Sequence, residues 1–459
     1  MKAPLIPKEE EDEEEDPTLE FIKKQKKMKP PDPKDLLSFH SYLPHLSEMK
    51  QKLYSSKEEE LIESLNFFAH LLSIGDNDSK SKELALIVND LYIQDQLLKI
   101  FFESPSPSTL IPVISILTEL SFWLPFHIPT VGDTMVALAN RIVQLFDFPD
   151  PETIDSLLSF AGNLCKDNVL FGSFLLEKNA VLNTANFSML DYANIEEHQK
   201  HEALFVRSII HNGCLEIYHR QIVAYFSSLF LCKTLTMDLE ICKFMLKMYR
   251  LGIKYSFTKE NVKYLHQFSL KSEKLLISLL HVLSLPDFST VRNMILDTIF
   301  LDNICGRIIQ HKQNSLTFPL FTFLTSAIDA YIPGPNDLVL ITAYNCVYSG
   351  TFSEIMAALD YINFLLDNTH DINIARIILE AGFLPLFAEI LEEKDVESFG
   401  ICIDILNKLI RFASIANSNI SDFQCFDSVM STLNAIVSDP DYENKNFAEK
   451  AKILLNDLS

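Results

Sequence analysis

The segment from Ile377 to Phe412 constrains the fold most. Ile377-Ile378-Leu379-Glu380-Ala381 closes one helix, Gly382 supplies a turn, and Pro385 opens an apolar helix. The acidic turn Glu392 to Asp395 then leads into a second helix over about Val396 to Phe412. The polar residues of that second helix are Asp404, Asn407, Lys408 and Arg411. Three- and four-residue steps put them on one narrow stripe of an α-helix. Almost everything else from Phe399 to Ile410 is apolar. Such a helix is buried around most of its circumference and shows one edge. A stack of similar units satisfies it, because each unit buries its faces on its neighbours.

The rest of the chain repeats this pattern. With 459 residues it exceeds the size at which single cores stop growing. The 48% hydrophobic content is too high for disorder, and 11 glycines are too few for a strand-and-turn protein. Helices with one polar edge end near Leu72, Leu120, Leu164, Ile209, Met248, Leu283, Ala327, Asn363, Asn407 and Leu454. The steps average about forty residues, within the range of helical repeat arrays. Residues 1–35 are a charged tail and 36–459 the repeat domain. Glu177 to His201 reads as an irregular loop, and Tyr331 to Asp337 as a break between repeats.

The formal charge of −23 opposes binding to nucleic acid or an anionic membrane and favours basic protein segments. Glu9 to Asp16 is an unbroken acidic run, followed by Lys23, Lys24, Lys26, Lys27 and Lys29. Thr109 to Val131 is apolar, but Glu119, His127 and three prolines argue for a buried helix and a proline-rich loop containing Trp123. The eight cysteines are scattered and read as small buried hydrophobes. His198, His201, His211 and His219 cluster in sequence without completing a metal set, and read as surface or groove histidines. No phosphate loop, zinc-protease helix or nucleophile elbow is present, so neither catalysis nor a cofactor is expected.

Several segments in register resemble importin-α, the armadillo-repeat adaptor for nuclear localisation signals. They are Leu43 to Ser73, Ser159-Phe160-Ala161-Gly162-Asn163-Leu164-Cys165-Lys166-Asp167, Leu176 to Val181, Ala357-Ala358-Leu359-Asp360-Tyr361-Ile362-Asn363, and Phe426 to Leu458 with Asp439-Pro440-Asp441. The resemblance implies an all-α, right-handed armadillo-type superhelical solenoid of roughly ten repeats. It also implies a groove for basic nuclear localisation segments of cargo, movement between cytoplasm and nucleus, and importin-β as a partner of the tail. Asn163 and Asn363 occupy the positions of asparagines that hold a peptide backbone, and Asp167 that of the aspartate receiving a lysine. Asp155 and Ser159 share the stripe of Asn163, and Asp360 lies beside Asn363. Ser159 and Leu359 stand where the family has tryptophans, and each lost cation–π slot removes about 0.5–2 kcal/mol. The alternative is an armadillo scaffold for protein–protein interaction with no transport role.

Overall fold

The computed structural model describes residues 42–75, 77–104, 106–126, 132–147, 150–184, 195–211, 216–232, 234–327, 330–334, 337–369, 372–393, 396–415, 426–439 and 445–458. The charged tail, Cys214, Cys425, Pro335-Asn336 and Pro440-Asp441 lie outside them. Every regular element among the described residues is helical. The chain falls into two compact units, Met1–Met237 and Asp238–Ser459.

The first unit contains α1 (Leu46–Leu53), α2 (Glu58–Ser73), α3 (Asp78–Asn89), α4 (Gln94–Glu103), α5 (Pro107–Trp123), α6 (Gly132–Leu145), α7 (Pro151–Asp167), α8 (Val169–Glu177), α9 (Ala180–Thr184), α10 (Ile195–His211) and α11 (His219–Leu229). The unit boundary falls inside α12 (Leu235–Arg250). The long helices α2, α5, α7 and α10 pack in succession, and shorter helices such as α4, α6 and α8 flank them. Sequence signals set the helix ends. Pro151 takes the first position of α7, and the Asp150 carboxylate accepts from Thr153 N. Asn168 follows α7 directly and caps α8 by accepting from Phe171 N. Along α7, Ile154, Leu157, Leu158, Phe160, Ala161, Leu164 and Cys165 are buried, while Glu152 is exposed and Asp155 and Ser159 are half-buried.

The second unit continues with α13 (Lys259–His266), α14 (Glu273–Leu283), α15 (Ser289–Ile295), α16 (Thr298–His311), α17 (Thr317–Ser326), α18 (Leu338–Ser349), α19 (Phe352–Thr369), α20 (Ile372–Glu380), α21 (Phe383–Glu393), α22 (Val396–Ile415), α23 (Phe426–Ser438) and α24 (Lys445–Leu458). Here α14, α17, α19, α22 and α24 pack in one row, and α16, α18, α21 and α23 in a second. Gly382 adopts φ +85° between α20 and α21, a left-handed turn that an L side chain resists.

The second helix of the opening segment is α22, and the expected polar edges fall on separate helices from α2 to α24, with Ala327 just past the end of α17. Two readings are corrected. The stretch Glu177 to His201, read as an irregular loop, contains α9 (Ala180–Thr184) and, from Ile195, the start of α10; residues 185–194 lie outside the described residues. Trp123 is the last residue of α5, not a loop residue, because its ring packs on Phe122 and its Nε1 donates to Glu119 one turn back.

Helices α7 and α10 approach closely at Gly162. A Cβ there would lie 3.4 Å from Phe205 Cα and 3.5 Å from Ser208 Oγ. A methyl group fits in ordinary contact; a larger side chain does not. Gly162→Ala is therefore expected to be neutral or stabilising by up to about 1 kcal/mol, through helix propensity. Gly162→Leu should cost about 1–3 kcal/mol by overpacking. Urea denaturation of the two variants checks both values.

Candidate functional site

The predicted site residues lie on two long helices, one in each unit; Asp167 and Asp360 are exposed, Asp155, Ser159 and Asn363 half-buried, and Asn163 buried. Asp155, Ser159, Asn163 and Asp167 lie on α7; Asp360 and Asn363 lie on α19. The structure brings together the residues within each set. Asp155, Ser159, Asn163, Asp167 and Asn363 each meet a side chain or backbone group about one repeat away.

On α7, Asp155 Oδ1 accepts from Nδ1 of His198 on α10, 43 residues further on. Ser159 Oγ is 2.7 Å from His201 Nδ1, one turn along both helices. These two pairs run in the same direction, so α7 and α10 are parallel. Asn163 is only 8% exposed, and its Nδ2 donates to Ser121 Oγ of α5 at 3.2 Å. Its amide links repeats rather than standing open at the edge. Asp167 is exposed at the end of α7, where one carboxylate oxygen accepts from Phe126 N at 3.4 Å. The sequence places the histidines at the surface or in a groove; His198 is instead 1% exposed, with its Nδ1 on the Asp155 carboxylate. Burial holds the His201 imidazole below its ordinary range, against the opposing pull of Asp155 and Glu197.

On α19, the Asn363 amide oxygen accepts from Lys408 Nζ of α22 at 2.5 Å. The same ammonium reaches Asp367 Oδ1 at 2.6 Å. Asp367 was not among the sequence candidates, although its four-residue spacing from Asn363 matches that of Asp167 from Asn163. Asp360 is exposed on the same helix, and the protein packed around it raises its carboxyl above the usual range.

Two further charged groups stand out. Glu202 on α10 is 1% exposed, and neither carboxylate oxygen has a hydrogen-bond partner among the described residues. Burial raises its carboxyl well above 4.5. The folded protein therefore holds a proton that the unfolded chain releases as pH rises above about 4.5. This group costs stability increasingly as pH climbs toward its folded value. Glu202→Gln should stabilise the protein at pH 7, with the gain vanishing below about pH 4.5, as read by denaturant titration at pH 4 and 7.

In the second unit, Asp238 is 1% exposed and accepts from Lys271 Nζ at 2.5 Å and Tyr264 Oη at 2.6 Å. Lys271 also lies over the rings of Tyr264 and Phe268. Lys271→Met leaves this buried carboxylate short of its counter-charge and should cost about 3–5 kcal/mol in a thermal or urea unfolding measurement.

Cys165, Cys232, Cys242, Cys305, Cys346 and Cys402 are buried free thiols, as expected from sequence. Burial pushes the Cys305 thiol up to about 12 and the Cys346 thiol to about 11, leaving them poor nucleophiles at neutral pH. Among the described residues, no three His, Cys, Asp or Glu side chains converge to hold a metal ion. Nor is any single helix among them long and apolar enough to cross a membrane.

No family model matches the sequence, and no curated protein matches it. Among solved structures, the chain is similar to an engineered protein determined by a structural genomics consortium. The TM-score is 0.58 at 12% identity, over 90% of this chain and 98% of that one. A structure from work on a phosphorylation switch controlling the interaction between cadherin and beta-catenin aligns with a TM-score of 0.48 at 11% identity, over 90% of each chain. The first likeness shows the fold alone. With the helical rows it defines the chain as an α-solenoid.

Proposed function

We propose that this α-solenoid is a non-catalytic scaffold that binds basic, extended segments of partner proteins along the exposed edge of its long helices. Asp167 carries the reading. It is exposed at the end of α7, and its carboxylate receives a single backbone bond at the outer limit of hydrogen-bond length. Glu152 and Glu197 are exposed on the parallel helices α7 and α10, and the whole chain is at −23. Their field attracts cations and repels nucleic acid.

A nuclear transport adaptor, resident in cytoplasm and nucleus and engaging importin-β through its tail, is the narrower form of this proposal. The resemblance around Asn163 and Asp167 supports it. The Asn163 and Asn363 amides weigh toward the broader scaffold, since Ser121 and Lys408 engage them.

Titration of a fluorescent lysine-rich peptide into the full chain tests the proposal. Binding should weaken steadily with salt, because exposed charges are screened. Asp167→Lys should weaken it about tenfold, the equivalent of about 1.4 kcal/mol. Salt-independent binding, or binding unchanged by this substitution, would remove the acidic edge as the recognition surface.

A further inference from the structure

Asn363 and Asp367 surround an ammonium group. Lys408 Nζ lies 2.5 Å from Asn363 Oδ1, 3.3 Å from the Asn363 backbone oxygen and 2.6 Å from Asp367 Oδ1. Three converging acceptors match the three donors of a primary ammonium. A planar guanidinium asks instead for a flat, two-pronged acceptor. The Lys408 side chain is 21% exposed and that of Asp367 is 55% exposed, so the acceptors open at the surface rather than bridge a dry core. The hand-down recurs one repeat later, where Lys450 of α24 reaches Asp404 of α22 at 3.1 Å over 46 residues. A lysine from the following helix thus engages the acidic edge of the preceding one at two successive steps.

We propose that Asn363 and Asp367 form a binding site for the primary ammonium of a lysine, occupied in cis by Lys408. A partner's lysine enters this site by displacing Lys408. Lys408 is carried on the packed neighbour α22, so it competes with any incoming lysine as an intramolecular group, and the site is nearly closed to a weak incoming segment. The partner side of this inference rests on the reading of the edge as a surface for basic segments; the ammonium site itself does not.

The test uses the full chain as wild type, Lys408→Met, and Lys408→Met with Asp367→Asn. The probes are n-butylammonium, read by melting temperature, and a fluorescent hexalysine peptide, read by anisotropy. n-Butylammonium should raise the melting temperature of Lys408→Met and leave wild type and the double variant unmoved. Hexalysine should bind Lys408→Met about tenfold more tightly than wild type, with the gain lost in the double variant. Absence of a selective butylammonium shift overturns the site, whatever hexalysine does. A selective shift with unchanged hexalysine affinity supports the ammonium site and counts against the basic-segment reading alone. Lys408→Gln, which retains a polar head toward Asp367, replaces Lys408→Met if the latter does not fold; the same pattern is expected at smaller amplitude.

Discussion

None of the long helices has an apolar face that its own hairpin can cover. α7 buries Ile154, Leu157, Leu158, Phe160, Ala161, Leu164 and Cys165, more than one flanking helix can shield, and packs on both α5 and α10. The same holds for α19 between α17 and α22. Burial of apolar area, at about 25 cal/mol per Å², is thus gained mainly between repeats rather than within them. The edge left over is narrow, and its side chains are few. Their chemistry is set by the helix above and the helix below, because those supply the groups within reach.

That geometry explains why much of the edge is engaged from the neighbouring repeat. His198, His201 and Lys408 each reach back across 42 to 45 residues to a partner on the preceding long helix. An asparagine in such a row can serve a passing peptide or the neighbouring repeat. Asn163 serves Ser121, and Asn363 serves Lys408. Asp167 differs because it is the last residue of α7 and meets a backbone amide instead of a side chain.

The fold was largely legible because it rests on local signals. The stripe of Asp404, Asn407, Lys408 and Arg411 marks the exposed edge of α22, and Gly382 marks the turn before α21. Asp150 with Pro151 announces the start of α7. The site was less legible because its chemistry depends on pairs. Nothing near Asn363 in sequence names Lys408, and nothing near His198 names Asp155. A residue's polarity shows that it faces an edge or needs a partner; it does not show which partner arrives. The irregular-looking stretch before His201 misled for a related reason. Glu196, Glu197, His198, Gln199 and Lys200 carry almost no apolar periodicity, yet they begin α10, where His198 and Gln199 are buried by polar contacts.

The near-constant reach of these inter-repeat bonds bears on how each unit comes apart. A bond that joins neighbours forty-odd residues apart closes only a short loop, so loop-closure entropy stays small at every step. Folding in such an array proceeds by adding a repeat to an existing edge, and unfolding by shedding one from an end. The Lys450–Asp404 bond joins α24 to α22, and opening of α24 breaks it while leaving Lys408 on Asn363 untouched. Loss of structure within a unit therefore proceeds repeat by repeat, and hydrogen exchange would read it as a sequence of openings rather than one.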